Sequence, residues 1–544
     1  MRAFGALSRR RSTRWFATSQ GWNPLTLAVL TSVWIAALPN WPLWNALLAL
    51  PETASLRGGL FVASFGVMIA ALLTMLLALF AWRMTIKPAI AFLLLAAAFG
   101  AHFMGSYGVV IDTTMMVNVL QTDPHEVRDL LSWRLLANVA LLAGVPLLLL
   151  WHAPVARVPG WHQTGRNLLA LIAALLVLAA LVFALFADLS ATMRNHRSMR
   201  YLINPVNSLY ALVDLAAQSN ARPAGPPLPI GLDAHIAPRA PGALPPLLML
   251  VVGETARADH FALNGYARST NPALAAQDVL SLRDVMSCGT NTAASLPCMF
   301  SHLGKAGYEA RVREHENLLD LVQRAGMAVL WIDNQAGCKG LCDRVPHIDT
   351  CTNDDCMDDT LLQGIDARVD ALPAAARARG VLLVLHQMGS HGPAYYKRSP
   401  PERKPFMPEC TTSALQQCDR AALINGYDNS IVSTDHMLAQ AIAWLKRGQA
   451  QYDTTLVYVS DHGESLGENN LYLHGLPYAV APVEQKHVPM LVWPATGRNA
   501  GCLRAQANAP LSHDNLFHTA LGVLGITAAE YQSRLDLLAP CRAG

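Results

Sequence analysis

The sequence predicts an N-terminal five-helix transmembrane domain followed by a C-terminal α/β domain with a mostly parallel sheet. Three observations lead to this fold class. The 544 residues are 52% hydrophobic and only 15% charged, which is unusual for a soluble protein and indicates a membrane. Long apolar segments fill the first third of the chain, whereas the second half alternates short apolar runs with helical stretches. All ten cysteines lie in that second half.

Five apolar segments each reach the roughly 20-residue length of a bilayer-spanning helix. They are residues 25–47, 59–82, 88–108, 133–151 and 167–187. A cleaved signal peptide is the alternative for the first, but its apolar stretch is long and no small-residue cleavage site follows, so we favour a membrane anchor. Five arginines and no acid in residues 1–15 predict a cytoplasmic N-terminus. Five crossings then place everything after residue 188 on the outer side.

The outer loop between the third and fourth segments carries a polar stripe. If residues 109–132 are helical, Asn118, Thr122 and Glu126 fall at positions i, i+4 and i+8 on one face. The alternative is an ordinary solvated face.

The segment 188–245 separates the two predicted domains. Its first part is basic and amphipathic, as expected of a helix near a membrane surface, and its second part is rich in Pro, Gly and Ala, as in a linker. We therefore expect a transmembrane domain at 1–187, a bridging segment and linker at 188–245, and an α/β domain at 246–544.

Cysteine spacing predicts disulfides in an oxidising compartment. Eight of the ten cysteines form close pairs at 288/298, 338/342, 351/356 and 410/418, and 502 with 541 is a candidate fifth pair. A zinc finger needs four ligands at tighter spacing, so these gaps argue against it. The oxidising compartment agrees with the outer side that the charge pattern predicts.

Five apolar runs predict strands buried on both faces of the sheet, because they show no alternation of apolar and polar residues. The runs are residues 246–253, 327–333, 380–386, 454–460 and 487–493. Four of them end in, or lead directly into, a polar residue: Glu254, Asp333, His386 and Asp461. Ligands of open α/β sheets gather at the carboxyl ends of the strands, so we expect these side chains to share one edge.

The residue types at this edge suit a catalytic zinc ion. Glu254 and the adjacent pair Asp461 and His462 follow buried strands, where a carboxylate needs a cation or hydrogen bonds to compensate it. With a hydroxyl from the small-residue loop 288–298, they form the mixed oxygen and nitrogen set of a catalytic zinc site. The next candidates are His391 and His474. Taken singly, each residue is more often structural, but their common strand-end position predicts a metallohydrolase or transferase outside the cytoplasm.

The charge of the chain argues against a nucleic-acid partner. The formal net charge is only +3, and no basic block is long enough for a nucleic-acid arm. We therefore expect no nucleic-acid binding.

Several long motifs occur in order along the predicted α/β domain: residues 251–260, 264–266, 288–301, 386–398, 460–468 and 472–475. They closely resemble the phosphoethanolamine transferases that modify lipid A, a family that includes the mobile colistin-resistance enzymes. The resemblance covers almost the whole chain. It implies an alkaline-phosphatase/sulfatase-like catalytic domain in the periplasm, anchored in the Gram-negative inner membrane.

The resemblance also implies roles for individual residues. Thr292 would be the nucleophile and a zinc ligand together with Glu254, Asp461 and His462. The substrate phosphate or a second metal position would involve Lys339, His391, Glu464 and His474, and the lipid donor would be held by Asn118, Thr122 and Glu126. Gln335 departs from the family pattern, since relatives of the mobile type have asparagine there, and it is left out of the predicted site. Whether a helix starts at Thr292 or nearer Pro297 is open.

The implied reaction is ping-pong. Thr292 takes phosphoethanolamine from phosphatidylethanolamine and passes it to lipid A, with one zinc ion expected and a second with bound substrate. The added amine lowers the negative surface charge, which gives resistance to polymyxins such as colistin. The rival functions are the same chemistry on a core sugar or periplasmic glucan, phosphoglycerol transfer, hydrolysis, and a non-catalytic receptor. We expect a monomer in contact with inner-membrane lipids.

Overall fold

The computed structural model describes residues 21–541 except 123–126, 129, 222–224, 336, 352–355 and 495–499. The chain divides into two units. The first comprises Met1–Ala101 and Ala137–Val206, and the second comprises His102–Leu136 and Asn207–Gly544. The outer loop thus belongs to the second unit, and the boundaries at residues 187 and 245 stay a prediction.

The N-terminal part of the chain is helical. In chain order its helices are α1 (Pro24–Ala37), α2 (Trp41–Leu48), α3 (Leu56–Ala78), α4 (Ile86–Tyr107), α5 (Thr113–Leu120), α6 (Trp133–His152), α7 (Gly160–Ala184) and α8 (Phe186–Asn195). Four of them, α3, α4, α6 and α7, are long and apolar enough to cross a membrane. The pair α1 and α2, bent by 46°, adds a fifth span if the two helices cross together. The predicted apolar segments are thus helices.

Two buried asparagines inside the first unit donate hydrogen bonds to backbone carbonyls. Asn204 is fully buried and donates from Nδ2 to the carbonyls of Pro39, at 3.0 Å, and Ala97, at 2.6 Å. Asn40, also buried, donates to the Asn204 carbonyl at 2.7 Å. Because a bilayer offers no water to buried amides, these bonds satisfy groups that would otherwise be costly.

The second unit is built on a seven-stranded sheet of order β3-β11-β8-β2-β7-β5-β6. The strands of this unit are β1 (His235–Ile236), β2 (Pro246–Gly253), β3 (Leu280–Leu282), β4 (Val285–Met286), β5 (Ala328–Asp333), β6 (His347–Asp349), β7 (Val381–His386), β8 (Asp453–Ser460), β9 (Ser465–Leu466), β10 (Tyr472–Leu473), β11 (Met490–Trp493), β12 (Leu511–Ser512) and β13 (Ile526–Thr527). Strand β2 runs parallel to β7 and β8, and β5 runs parallel to β6 and β7. At the other edge of this sheet, β11 pairs antiparallel with both β8 and β3. The mostly parallel sheet is therefore confirmed.

Helices of the second unit cover both faces of this sheet. From Val206 onward they are α9 (Val206–Ala221), α10 (Pro272–Ala275), α11 (Thr292–Met299), α12 (Gly304–Glu309), α13 (Leu318–Arg324), α14 (Ile365–Asp370), α15 (Ala374–Arg377), α16 (Arg420–Gly448), α17 (Ala500–Ala505) and α18 (Asp514–Leu524). Alternate residues of β2 enter different cores: Leu250 packs with α18 residues such as Phe517, whereas Met249 packs with α16 residues such as Leu438. Burial on both sides explains why the strands read as continuous apolar runs.

Five disulfides stabilise the second unit. They join Cys288 to Cys298, Cys338 to Cys342, Cys351 to Cys356, Cys410 to Cys418 and Cys502 to Cys541. The pairing suggested by the sequence spacing is confirmed.

We expect the Cys502–Cys541 disulfide to stabilise the protein more than the Cys338–Cys342 disulfide. The first spans a sequence separation of 39 and the second a separation of 4, and closing a longer loop removes more entropy from the unfolded chain. Replacing both cysteines of the pair by alanine should lower the free energy of unfolding by about 4 kcal/mol for the long loop and about 2 kcal/mol for the short one. Thermal unfolding of the full-length variants measures the difference. Equal losses would contradict the loop-entropy account.

Candidate active site

Four neighbouring strands end at one edge of the sheet and bring the predicted side chains together. In register, Gly253 of β2 lies beside Ser460 of β8, and Val252 lies beside His386 of β7. The residues that follow β2 and β8 are thus adjacent, and the backbone N–H of Asp461 donates to the carbonyl of Gly253 at 2.9 Å. Parallel strands whose carboxyl ends meet at one edge explain this convergence.

Helix α11 presents Thr292 at this edge. The helix begins at Thr292, so the open question about its start is answered, and Pro297 lies inside it. The side chain of Asn291 caps the helix by accepting a hydrogen bond from the Ala294 N–H at 2.9 Å. Thr292 therefore lies at the N-terminal end of α11, where the helix dipole favours negative charge such as that of a phosphate.

The hydroxyl of Thr292 contacts the strand-end residues directly. Its Oγ1 lies 3.0 and 3.1 Å from the two carboxylate oxygens of Glu254, to which it donates, and 3.5 Å from His462 Nε2. Nε2 of His462 in turn lies 3.2 Å from Glu254 Oε1 and 3.3 Å from Asp461 Oδ2. All four side chains are buried, so their mutual distances are set by the core.

Three of these side chains fit a metal ion. One ligand atom from each of Glu254, Asp461 and His462 lies within 4.8 Å of the others. Asp461 Oδ2 accepts no hydrogen bond in the part of the chain that the structure describes, so it is available to a cation. Nδ1 of His462 lies 2.9 Å from the carbonyl of Gly463, an arrangement in which Nδ1–H donates and Nε2 is left as a ligand.

The pKa values of this group are shifted because two buried carboxylates lie beside one imidazole. Burial, and next the charge of Glu254, raise the pKa of Asp461 to about 7. Burial opposes ionisation of Glu254 as well, but its hydrogen bond with His462 and the charge of that imidazole hold its pKa below the usual range. Burial acts against the charged form of His462, yet Asp461 and Glu254 raise its pKa to about 10. A divalent cation would satisfy the same carboxylates.

A second group adjoins the first and shares Glu254 with it. Ligand atoms of Glu254, His391 and His474 lie within 4.8 Å of one another. His474 Nδ1 lies 3.3 Å from Glu464 Oε1, and the rings of His474 and His462 have centroids 4.3 Å apart. The structure therefore brings the predicted residues His391, Glu464 and His474 next to the four residues of the first group.

The outer loop packs against this site within the second unit. Helix α5 lies against α11, and Met115 of α5 covers Gly475, the residue after His474. A Cβ atom on Gly475 would displace the Met115 Cε, and the φ of Gly475 is +90°, a backbone conformation that favours glycine.

Two residues of the predicted polar stripe follow helical spacing. The carbonyl of Asn118 accepts a hydrogen bond from Thr122 Oγ1 at 2.8 Å. Nearby, Lys339 Nζ donates to the carbonyl of Gln121 at 3.3 Å, which joins the predicted phosphate-binding lysine to the end of α5. The third residue of the stripe, Glu126, lies outside the described residues.

Gln335 is a site residue that the sequence analysis set aside. Its Nε2 donates to Glu254 Oε2 at 3.0 Å, and its backbone N–H donates to Asp333 Oδ1 at 2.7 Å. Asp333 is itself held by the imidazole of His386 at 2.9 Å. Its position two residues after the strand-end Asp333 is the sequence signal that points to the site, whereas the asparagine of relatives argued against including it.

Arg257 is the second residue that was missed. Its guanidinium is almost fully buried and donates to Glu468 Oε1 at 2.8 Å and to the backbone carbonyl of Glu464 at 3.2 Å. Burial opposes its charge, but the hydrogen bond and charge of Asp259 hold its pKa above the usual range. Arg257 therefore fixes the segment that carries Glu464 while remaining charged.

Comparison with known proteins agrees with the architecture. Residues 246–526 match the sulfatase family, and residues 69–219 match the family described as phosphoethanolamine transferase EptA/EptB. The chain is 39% identical to the phosphoethanolamine transferase EptA of Salmonella typhimurium, over 94% of this chain and 96% of that protein. It is 37% identical to the phosphatidylethanolamine transferase Mcr-1 of Escherichia coli, over 94% of this chain and 97% of that protein.

A solved structure extends the similarity to the membrane part. The integral membrane lipooligosaccharide phosphoethanolamine transferase A of Neisseria meningitidis matches with a TM-score of 0.90 and 31% identity. The match covers 95% of this chain and 99% of that one. Both the apolar helices and the sulfatase-like domain are therefore shared.

Proposed function

The chain belongs to the phosphoethanolamine transferase family, and on this premise we propose that it moves phosphoethanolamine from phosphatidylethanolamine to lipid A through a covalent intermediate on Thr292. As a family member it is a Gram-negative inner-membrane protein with its catalytic domain in the periplasm. Both lipid substrates are membrane components that such a protein meets. That it acts as a monomer stays a prediction.

The proposal depends chiefly on one observation, the contact between the Thr292 hydroxyl and Glu254. At 3.0 Å, Glu254 Oε2 is placed to receive the proton of that hydroxyl. Thr292 is also buried at the start of a helix, where a phosphoryl group would meet the helix dipole. A hydroxyl placed between a carboxylate and an imidazole is the arrangement expected of an activated nucleophile.

A zinc ion held by Glu254, Asp461, His462 and Thr292 would, when bound, favour the alkoxide form of the threonine and offset charge on the phosphoryl oxygens. The residues fit this ion because they combine two buried carboxylates, one imidazole whose Nε2 faces both of them, and a hydroxyl. A second ion at Glu254, His391 and His474 with bound substrate is part of the proposal.

The reaction has two balanced steps. Thr292 Oγ1 bonds to the phosphorus of phosphatidylethanolamine, the bond from phosphorus to the glycerol oxygen breaks, and diacylglycerol leaves with a proton. An oxygen of a lipid A phosphate then bonds to the same phosphorus, the bond from phosphorus to Thr292 Oγ1 breaks, and Oγ1 takes up the proton that the acceptor phosphate releases, which regenerates the hydroxyl. His391 and His474, whose ring nitrogens lie within 4.8 Å of a Glu254 carboxylate oxygen, are the proposed proton donors to the leaving oxygen when no second ion is bound to them.

The remaining predicted residues act on the substrates in this proposal. Lys339 and Glu464 would contact the phosphoethanolamine group, and Asn118, Thr122 and Glu126 of the outer loop would hold the lipid donor. Support for the second part comes from the packing of α5 against α11, which brings the outer loop to the nucleophile helix.

Mass spectrometry of lipid A tests the acceptor. We expect cells that express the chain to add phosphoethanolamine to lipid A and to tolerate more colistin. Absence of the increment despite correctly localised protein would refute the lipid A assignment. A phosphoethanolamine increment on core sugar or on periplasmic glucan, or a phosphoglycerol increment, would establish the corresponding rival reaction.

We expect Gln335→Asn to weaken zinc binding and transfer by about tenfold each, since outer-shell partners of metal ligands typically contribute 10–100-fold. The shorter amide loses its 3.0 Å hydrogen bond to Glu254 Oε2, and the carboxylate is then less constrained. Competition of the full-length protein with a chelator measures the zinc affinity.

The matched control is Gln387→Asn, which shortens a buried glutamine whose amide donates to Asp358. Its zinc affinity should stay within about twofold of the original protein. Unchanged zinc affinity in Gln335→Asn would argue against a positioning role for the amide.

A further inference from the structure

His513 is a buried histidine for which the proposed reaction has no role. It immediately precedes α18 and is only 2% exposed. Burial lowers its pKa to about 4, so the imidazole is neutral at ordinary periplasmic pH. A neutral imidazole has one donor and one acceptor nitrogen, and both nitrogens of His513 have partners.

The two partners of the ring lie on different parts of the active site. Nδ1 accepts a hydrogen bond from the backbone N–H of Cys288 at 3.0 Å, on the loop that leads to Thr292. Nε2 lies 2.9 Å from the carbonyl of Ser460, the last residue of β8, and donates to it. Ser460 directly precedes Asp461 and His462, so one side chain connects the nucleophile loop to the strand that carries two site residues.

Ser295 of α11 completes this connection. Its hydroxyl donates to the backbone carbonyl of Asp461, accepts from the Gly289 N–H at 3.3 Å, and lies 3.4 Å from His513 Nδ1. The backbone N–H of His513 donates to the Met286 carbonyl at 3.0 Å, which fixes the histidine itself on the same segment. The ring therefore has no freedom to turn without breaking bonds on both sides.

We infer that His513 is a positioning residue that sets the distance between Thr292 and the pair Asp461 and His462 by holding Cys288 and Ser460 at opposite nitrogens of one ring. A displacement of about 1 Å in an active site can lower the rate 100-fold, so a fixed spacer of this kind has a large effect on turnover. His513 does not touch the reacting atoms. This inference rests on the proposed function only where turnover is concerned, because the loop position is a property of the fold.

Asparagine and glutamine separate the two bonds. The Oδ1 of asparagine falls near the position of Nδ1 and can accept from Cys288, whereas the Nε2 of glutamine falls near the imidazole Nε2 and can donate to Ser460. The variants His513→Asn and His513→Gln each keep one bond, and His513→Ala keeps neither. His518→Asn is the matched control, because His518 is a buried histidine of α18 whose Nδ1 accepts from the Gln532 N–H at 3.2 Å, away from the nucleophile loop.

Hydrogen exchange of the full-length protein in detergent tests the positioning directly. We expect the amides of the loop 288–295 to exchange at least about tenfold faster in His513→Ala, and the Cys288 amide to be protected better in His513→Asn than in His513→Gln. The same loop should exchange normally in His518→Asn. Unchanged exchange in His513→Ala, or equal acceleration in His518→Asn, would overturn the inference whether or not the protein transfers phosphoethanolamine.

Turnover with phosphatidylethanolamine and lipid A in mixed micelles gives the second readout. We expect kcat of His513→Ala to fall by about 10–100-fold while KM stays within about twofold, and the asparagine and glutamine variants to fall between it and the original protein. If His513→Ala does not fold, the kcat values of His513→Asn and His513→Gln test the inference in its place. An unchanged kcat in a folded His513→Ala, His513→Asn or His513→Gln variant would overturn the inference. Absence of transfer by the original protein would refute the proposed function, and hydrogen exchange alone would then decide the role of His513.

Discussion

Replacing Thr292 by alanine is expected to abolish phosphoethanolamine transfer, with a loss of at least about 10³-fold, while the protein still folds and reaches the membrane. The hydroxyl contributes contacts to Glu254 at 3.0 and 3.1 Å, but the helix that carries it is capped independently by Asn291. Removing the hydroxyl therefore removes the nucleophile without removing the element that presents it. Lipid A mass spectrometry and the colistin tolerance of expressing cells measure the loss.

Two further substitutions identify the hydroxyl itself as the cause. Thr292→Ser keeps an oxygen at the same position and should retain part of the activity. Thr290→Ala removes the neighbouring buried hydroxyl, which donates to the Leu476 carbonyl at 2.7 Å and does not contact Glu254, so its transfer should stay within about tenfold of the original. Normal transfer by Thr292→Ala, or an equal loss in Thr290→Ala, would refute the nucleophile assignment.

The sheet could be predicted from the sequence because its central strands are buried on both faces. The run at Pro246–Gly253 is the observed β2 without change, and the residues after β2 and β8 occupy the predicted edge. The edge strands β3 and β6 were missed because they are only three residues long, too short to give a periodic pattern. The antiparallel direction of β11 could not be predicted either, because the hydrophobic pattern of the sequence indicates burial and not strand direction.

Site residues could be predicted where their side chains are typical metal ligands or nucleophiles. They were missed where only their position in the folded structure brings them to the site. A carboxylate or histidine directly after a buried apolar run is unusual and can be recognised from the sequence. Gln335 was identified only from its hydrogen bond to Glu254. His513 lies 225 residues after its partner Cys288, and no local pattern links the two. The start of α11 could not be read either, because Pro297 favours a first turn but here lies within the helix.

The Glu254→Gln substitution is expected to remove zinc binding, with affinity reduced at least about 100-fold and transfer reduced in proportion. Glu254 belongs to both groups of ligand-type side chains, the one with Asp461 and His462 and the one with His391 and His474. Its loss should therefore affect a metal at either position. Among the described residues, no other side chain belongs to both groups. The amide keeps the volume of the carboxylate, so the core stays packed, but it lacks the charge that a divalent cation needs.

Zinc-induced stabilisation measures this effect without any assay of transfer. Zinc at 100 times its dissociation constant stabilises a folded protein by about 2.7 kcal/mol, so metal-free full-length protein should unfold at a higher temperature when zinc is added. Glu254→Gln should show almost none of this increase. The control Glu468→Gln changes a glutamate that pairs with Arg257 at 2.8 Å and should keep the full increase. If Glu254→Gln is stabilised by zinc as strongly as the original protein, Glu254 is not a ligand. The short distance between its carboxylate and Thr292 would then reflect a general base acting without the metal, because a buried carboxylate that accepts the threonine hydroxyl remains able to take its proton.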